Sequence, residues 1–183
     1  MNRYKGKKGY ISFLKKFDII FILVSAMIFA AVYLIGSKIW NSKANIGTVV
    51  AVLSILPACK RLANLIVIMP FKGISNDDYA TITPKIKEGW FVLCEMLFST
   101  EERNYSFDHV VLTNSKMLVY STMSKDKSRL AKVYFENAFA KRQMPVKISI
   151  YNTVSEYAAV LDRTEAEIFE SEKLSDYITS LLI

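Results

Sequence analysis

The sequence predicts a two-part protein: a membrane α-helical hairpin, then a small α/β (α+β) cytosolic domain of order α-β-β-β-α-β-α. Three observations carry this. Two long apolar runs lie between Phe17 and Met69, separated by a short polar turn. Lysine and arginine crowd into the same part of the chain. From Gly73 onward the long runs give way to short alternating or aromatic-rich stretches. The expected divisions are a basic cytoplasmic N-terminus over 1–16, the hairpin over 17–72 and the cytosolic domain over 73–183.

The first run, Ile19 to Ile35, carries no charge, and about 20 helical residues cross a hydrocarbon core. A basic start also suits a signal peptide, but the run is too long for an h-region and no small-x-small site closes it. An uncleaved helix is therefore expected. Lys15, Lys16 and Asp18 mark its inner start. Gly36, Ser37 and Lys38 mark its outer end, with Trp40 as an interfacial anchor. The turn from Asn41 to Asn45 is short, so the two helices are antiparallel neighbours. Gly47, Ala51 and Ser54 would let the second helix approach the first.

The second run, Ala44 to Met69, contains Lys60 and Arg61. Each cation at the bilayer centre costs about 2.5–3.5 kcal/mol on insertion scales. Two arrangements relieve that cost. In one, helix two ends near Cys59, bent at Pro57, the cations snorkel to the headgroups, and 62–69 lies along the interface. In the other, the helix continues to Met69, and Asp18 pairs with Lys60 or Arg61.

Charge sets the orientation. Up to Lys72 there are eleven Lys/Arg and one acid, a net +10; from Gly73 there are thirteen against sixteen, a net −3. A pI near 9.3 would ordinarily suggest nucleic acid. Here the cations flank apolar helices, so the positive-inside bias accounts for them and no nucleic-acid partner is expected. Both termini are expected in the cytoplasm and the turn outside. Cys59 and Cys94 imply no disulfide framework.

In the domain, Ser75 to Asp78 opens a helix reaching about Lys87, weakened by Pro84. Trp90 to Phe98, Phe107 to Leu112 and Met117 to Tyr120 read as three strands of an antiparallel meander. Helical spacing of Leu130, Val133, Tyr134, Ala138 and Phe139 predicts an amphipathic helix from Lys125 to Gln143, ended by Pro145. Val146 to Tyr151 alternates as a fourth strand. Capping boxes at Thr153 and Thr164 predict two closing helices.

This order resembles the core of the restriction-endonuclease-like fold. The resemblance implies a divalent-metal site, held by an acid near the start of the second strand and an acid-x-Lys on the third. Asp108 matches the first position, while Tyr120-Ser121-Thr122 stands where acid-x-Lys should be. A relic nuclease site is what that implies. The chain also resembles small two-helix membrane proteins of low-GC Gram-positive bacteria. The shared features are a basic start, a hairpin, and a short domain with a segment similar to Phe107-Asp108-His109-Val110-Val111-Leu112-Thr113.

His109 is the single histidine. Neighbours on a strand point to opposite faces, so Asp108 and His109 cooperate only if a bulge intervenes. Cys94 in an apolar strand reads as a core thiol of raised pKa. Lys125, Lys127, Arg129, Lys132, Lys141 and Arg142 give the long helix a basic side, solvated or turned to an anionic leaflet. No Gly-rich phosphate loop, zinc spacing or nucleophile elbow is present. The expectation is a non-enzymatic membrane protein presenting a cytosolic interaction domain, with no cofactor. Its partners would be the lipid bilayer and an unidentified protein. The alternative is a membrane-tethered, degenerate nuclease-like hydrolase using Asp108.

Overall fold

The computed structural model describes residues 6–40, 46–100, 103–113, 115–144, 146–165, 169 and 172–180. The chain divides into a helical unit, Ile11–Lys72, and a sheet unit formed by Met1–Tyr10 with Gly73–Ile183.

In the helical unit, α1 spans Tyr10–Trp40 and α2 spans Ile46–Ile68. Both are long and apolar enough to cross a membrane. With 31 residues α1 is about 46 Å long. It starts at Tyr10, well before the Phe17 boundary expected from hydropathy. Of the two arrangements left open for helix two, an end near Cys59 and a continuous helix, the structure has the continuous one. α2 runs unbroken through Pro57, Lys60 and Arg61 to Ile68. A proline removes one backbone donor, which neighbouring turns of a long helix absorb. The two helices expose their large apolar side chains, Ile20 at 60%, Met27 at 65% and Ile66 at 65% among them. Small Ala51 and Ala58 are buried on α2, as close helix approach requires.

The sheet unit opens with α3, Asn76–Ile82, capped by Ser75, whose hydroxyl accepts from Asp78 N at 3.1 Å. It ends sooner than the Lys87 expected. Pro84 disfavours helix in the residue before it, so Thr83–Lys85 forms a 3-10 turn instead. Then come β1 (Phe91–Ser99), β2 (Asn104–Leu112), β3 (Lys116–Tyr120), α4 (Lys125–Lys141), β4 (Lys147–Tyr151), α5 (Val154–Arg163) and α6 (Glu172–Ser180). The sheet order is β1-β2-β3-β4. The first three strands form an antiparallel meander, and β4 joins β3 in parallel after α4. Thr153 stands at the N-cap of α5 without a side-chain cap bond. Thr164 turns its hydroxyl back to Val160 O as the C-cap of the same helix, and residues 166 and 167 of the second expected capping box lie outside the described residues.

Each face of the sheet buries its own core. On one face Phe107, Val110, Met117 and Val119 pack with Phe135 and Phe139 of α4 and Leu174 and Ile178 of α6. Phe135 is the hub, with the rings of Phe98 and Phe107 at 4.8 and 5.3 Å. On the other face Val111, Leu118 and Tyr120 pack with Ile82 of α3 and Tyr157 and Leu161 of α5. The result is helices on both sides of a mixed sheet.

The N-terminal segment is part of this unit. Cys94 N donates to Gly6 O at 2.7 Å, which lays residues 6–9 along β1. Gly6 has φ +74°, and a Cβ there would stand 2.5 Å from Leu93 Cδ2.

Candidate functional site

The helical unit carries one buried acid. Asp18 is 1% exposed, and its Oδ1 lies 3.3 Å from Arg61 Nη1. The Arg61 guanidinium also sits 5.4 and 5.5 Å from the ring centres of Phe17 and Phe21. Phe17, Asp18 and Phe21 share one face of α1 because three and four residues make about a turn. Of the two adjacent cations, Arg61 is the one that reaches Asp18, while Lys60 is exposed. Lys15 Nζ donates to Met69 O at 2.9 Å and Phe71 O at 2.7 Å, where the carbonyls past a helix C-terminus lack partners. Lys16 is exposed. Trp40 closes α1, and its side chain lies outside the described residues.

In the sheet unit, the residues to explain are those that break the alternation. Phe91, Leu93, Met96 and Phe98 of β1 face one core; so do Tyr105, Phe107, Val110 and Leu112 of β2. Each strand therefore takes one step of three, between Leu93 and Met96 and between Phe107 and Val110. These four pair across the ladder as Leu93 with Val110 and Met96 with Phe107, and Cys94 pairs with His109. Glu95 and Asp108 are left opposite one another as the extra residue of each strand. Glu95 adopts φ +52°, the left-handed geometry that bulges use. For a residue with a Cβ this costs about 1–2 kcal/mol.

Both acids are 2% exposed. Glu95 Oε1 accepts from Gly9 N at 2.8 Å, and the carboxylate occupies the space that a Cβ on Gly73 would need. Asp108 Oδ2 accepts from Thr122 N at 2.6 Å. Burial raises the Asp108 carboxyl above its ordinary pKa against that bond, and the charges of Glu95 and Asp78 raise it further. Asp78 in turn accepts from Tyr120 Oη at 2.9 Å; burial, then this bond, push the Tyr120 hydroxyl up.

His109 is fully buried, and its Nδ1 shares a hydrogen bond of 2.9 Å with Tyr157 Oη. Burial pulls the imidazole down to about 4, so it is neutral at pH 7. Its Nε2 is buried without a hydrogen-bond partner among the described residues. Cys94 is pushed up to about 11 by burial, with the Glu95 charge adding to it. A neutral thiol beside a neutral imidazole is not an activated nucleophile.

A metal relic does not fit this arrangement. Asp108 is nearly sealed from solvent and engaged by Thr122, and Tyr120, Ser121 and Thr122 bring no second acid. Among the described residues no three His, Cys, Asp or Glu side chains converge as a hard cation requires. Glu95 is the residue that sequence reasoning missed. Its signal was an acid inside the apolar run Phe91 to Phe98, but a lone strand does not reveal that it will meet Asp108.

No family model, curated protein or solved structure matches the chain. The comparisons thus lend no support to the restriction-endonuclease-like resemblance or to the likeness with Gram-positive two-helix proteins.

Proposed function

We propose that the protein is a non-enzymatic membrane protein: an α1–α2 hairpin anchor presenting a cytoplasmic α+β interaction domain. One observation carries the reading. Residues 6–9 and Gly73, which lead into and out of the helical unit, both lie against β1 at Glu95. Chain entry and exit thus belong to one folded unit, and a membrane crossing made by α1 must be reversed by α2. The apolar outer surfaces of both helices agree, since lipid covers such side chains at no cost. The uncharged stretch from Ile19 to Ser37 is 19 residues, about 28 Å of helix, close to the hydrocarbon thickness. Arg61 and Asp18 then mark the inner boundary, and the cationic flanks support a cytoplasmic side for both termini.

The test is labelling in intact cells, in a Cys59→Ser background. Lys43→Cys is expected to react with an impermeant maleimide from outside, and Lys116→Cys only after lysis. Labelling of position 116 from outside overturns the orientation. Release of the chain by alkaline carbonate overturns the anchor.

The second reading, a tethered nuclease-like hydrolase, draws on the raised Asp108 carboxyl, since perturbed acids concentrate at active sites. Loss of a cellular phenotype in a folded, expressed Asp108→Ala variant would favour it.

A further inference from the structure

We propose that the cleft between α4 and β4 is an anion site that takes a phosphate group. The cleft measures about 390 Å³ and has no acid among its lining residues. Lys125, Arg129 and Lys132 enter it from one face of α4, at the i, i+4, i+7 spacing that stacks side chains over successive turns. Lys132 shares a 3.8 Å contact with Glu136, both half-exposed, which neutralises it weakly. Lys125 and Arg129 form no ion pair among the described residues. Three like charges along one helix face repel each other, and an anion between them removes that repulsion.

The floor is set by Asn152 and Ser128. Asn152 Nδ2 stands 3.0, 2.8 and 2.9 Å from Ser121 O, Met123 O and Ser128 Oγ, its two protons shared among the three acceptors. Ser128 Oγ therefore accepts from Asn152, and its own proton is left for an acceptor in the cleft. β4 is the sheet edge. Tyr151 O accepts from Ser121 N and Lys147 N donates to Ser115 O, so these residues turn inward and Ile150 N–H faces the open side. The cleft lies over the first turns of α4, the positive end of its dipole.

Three cations, one of them a guanidinium fork, with a hydroxyl and a peptide N–H, suit a tetrahedral phosphate oxyanion. The phosphate can come from a soluble solute or from the phosphodiester of an anionic lipid. Leu130, Val133 and Tyr134, on the same helix, are 44, 51 and 43% exposed and would accompany a lipid into the headgroup region.

The site lies wholly within the sheet unit, so its test stands apart from the membrane reading. Full-length protein in neutral detergent micelles is titrated with inorganic pyrophosphate and, separately, with short-chain phosphatidylglycerol, following the melting midpoint. Saturable stabilisation by pyrophosphate assigns a soluble source; stabilisation by phosphatidylglycerol alone assigns the lipid. In either case Arg129→Gln and Lys125→Gln are each expected to weaken binding about tenfold. Lys127→Gln, on the same helix but outside the cleft, is expected to leave it unchanged. If neither ligand stabilises the protein, or if Lys127→Gln weakens binding as much as Arg129→Gln, the site is refuted.

Discussion

Arg61 Nη1 and Asp18 Oδ1 stand 3.3 Å apart and tie α2 to α1 across 43 residues of sequence. Asp18 is buried while Arg61 keeps partial exposure. Removing the acid leaves a cation among aromatic rings without its counter-charge. Asp18→Ala is expected to cost about 2 kcal/mol, seen as a lower melting midpoint in detergent. Asp18→Ala with Arg61→Ala together should recover part of that loss. A double variant as damaged as the sum of its singles would show that the pair is not coupled.

Gly73 and Glu95 make a second coupled pair. The Glu95 carboxylate fills the place of a Gly73 side chain. Gly73→Ala is expected to destabilise the fold by about 1–3 kcal/mol through overpacking. Glu95→Ala removes the obstacle but strands Gly9 N–H. The double variant is therefore expected to be more stable than additivity allows.

Asp108 separates charge from hydrogen bonding. Its folded pKa lies above the unfolded value because burial disfavours the carboxylate. Below the unfolded pKa both states are protonated and the group contributes nothing. As pH rises through the folded pKa, the buried charge detracts from stability. Asp108→Asn keeps an acceptor for Thr122 N and removes the charge. It is expected to raise the melting midpoint at pH 7 by a few degrees and to leave it unchanged at the lowest pH. Asp108→Ala loses the acceptor and should lower it. An Asn variant as unstable as the Ala variant would contradict this account.

His109 acts in the opposite sense. Its folded pKa of about 4 lies below the ordinary 6.5, so between these values the unfolded chain binds the extra proton. Stability is full above pH 6.5 and falls by about 3 kcal/mol as pH drops toward 4. Urea titrations across that window check it, and His109→Gln should flatten the profile. Tyr157→Phe removes the Nδ1 partner and is expected to cost about 1–3 kcal/mol at pH 7.

The local elements were legible because their signals are local. Leu130 to Phe139 at helical spacing, Ser75 before two acids, and the alternating Lys147 to Tyr151 each specify an element from neighbours within two turns. Local signals did not suffice where distant partners decide. Pro57 and the Lys60-Arg61 pair left open whether helix two ends near Cys59 or continues with Asp18 paired; α2 continues, and Asp18, Phe17 and Phe21 meet Arg61. Asp108 read as a lone acid, although Glu95 stands opposite it. Residues 1–16 read as a basic N-terminus separate from the domain, whereas Gly6 and Gly9 bond to β1.

The sequence by itself determined that two helices are apolar enough to span a membrane and that an α+β unit follows them. Composition and periodicity suffice for this, since burying apolar surface is non-directional and needs only the right residues at the right period. Only the tertiary structure decided which charges meet, that β1 and β2 break their alternation together, and that three cations of α4 converge on the edge of β4. Hydrogen bonds and ion pairs act over a few ångströms and depend on direction, so they are set by residues that the fold, not the chain order, brings together.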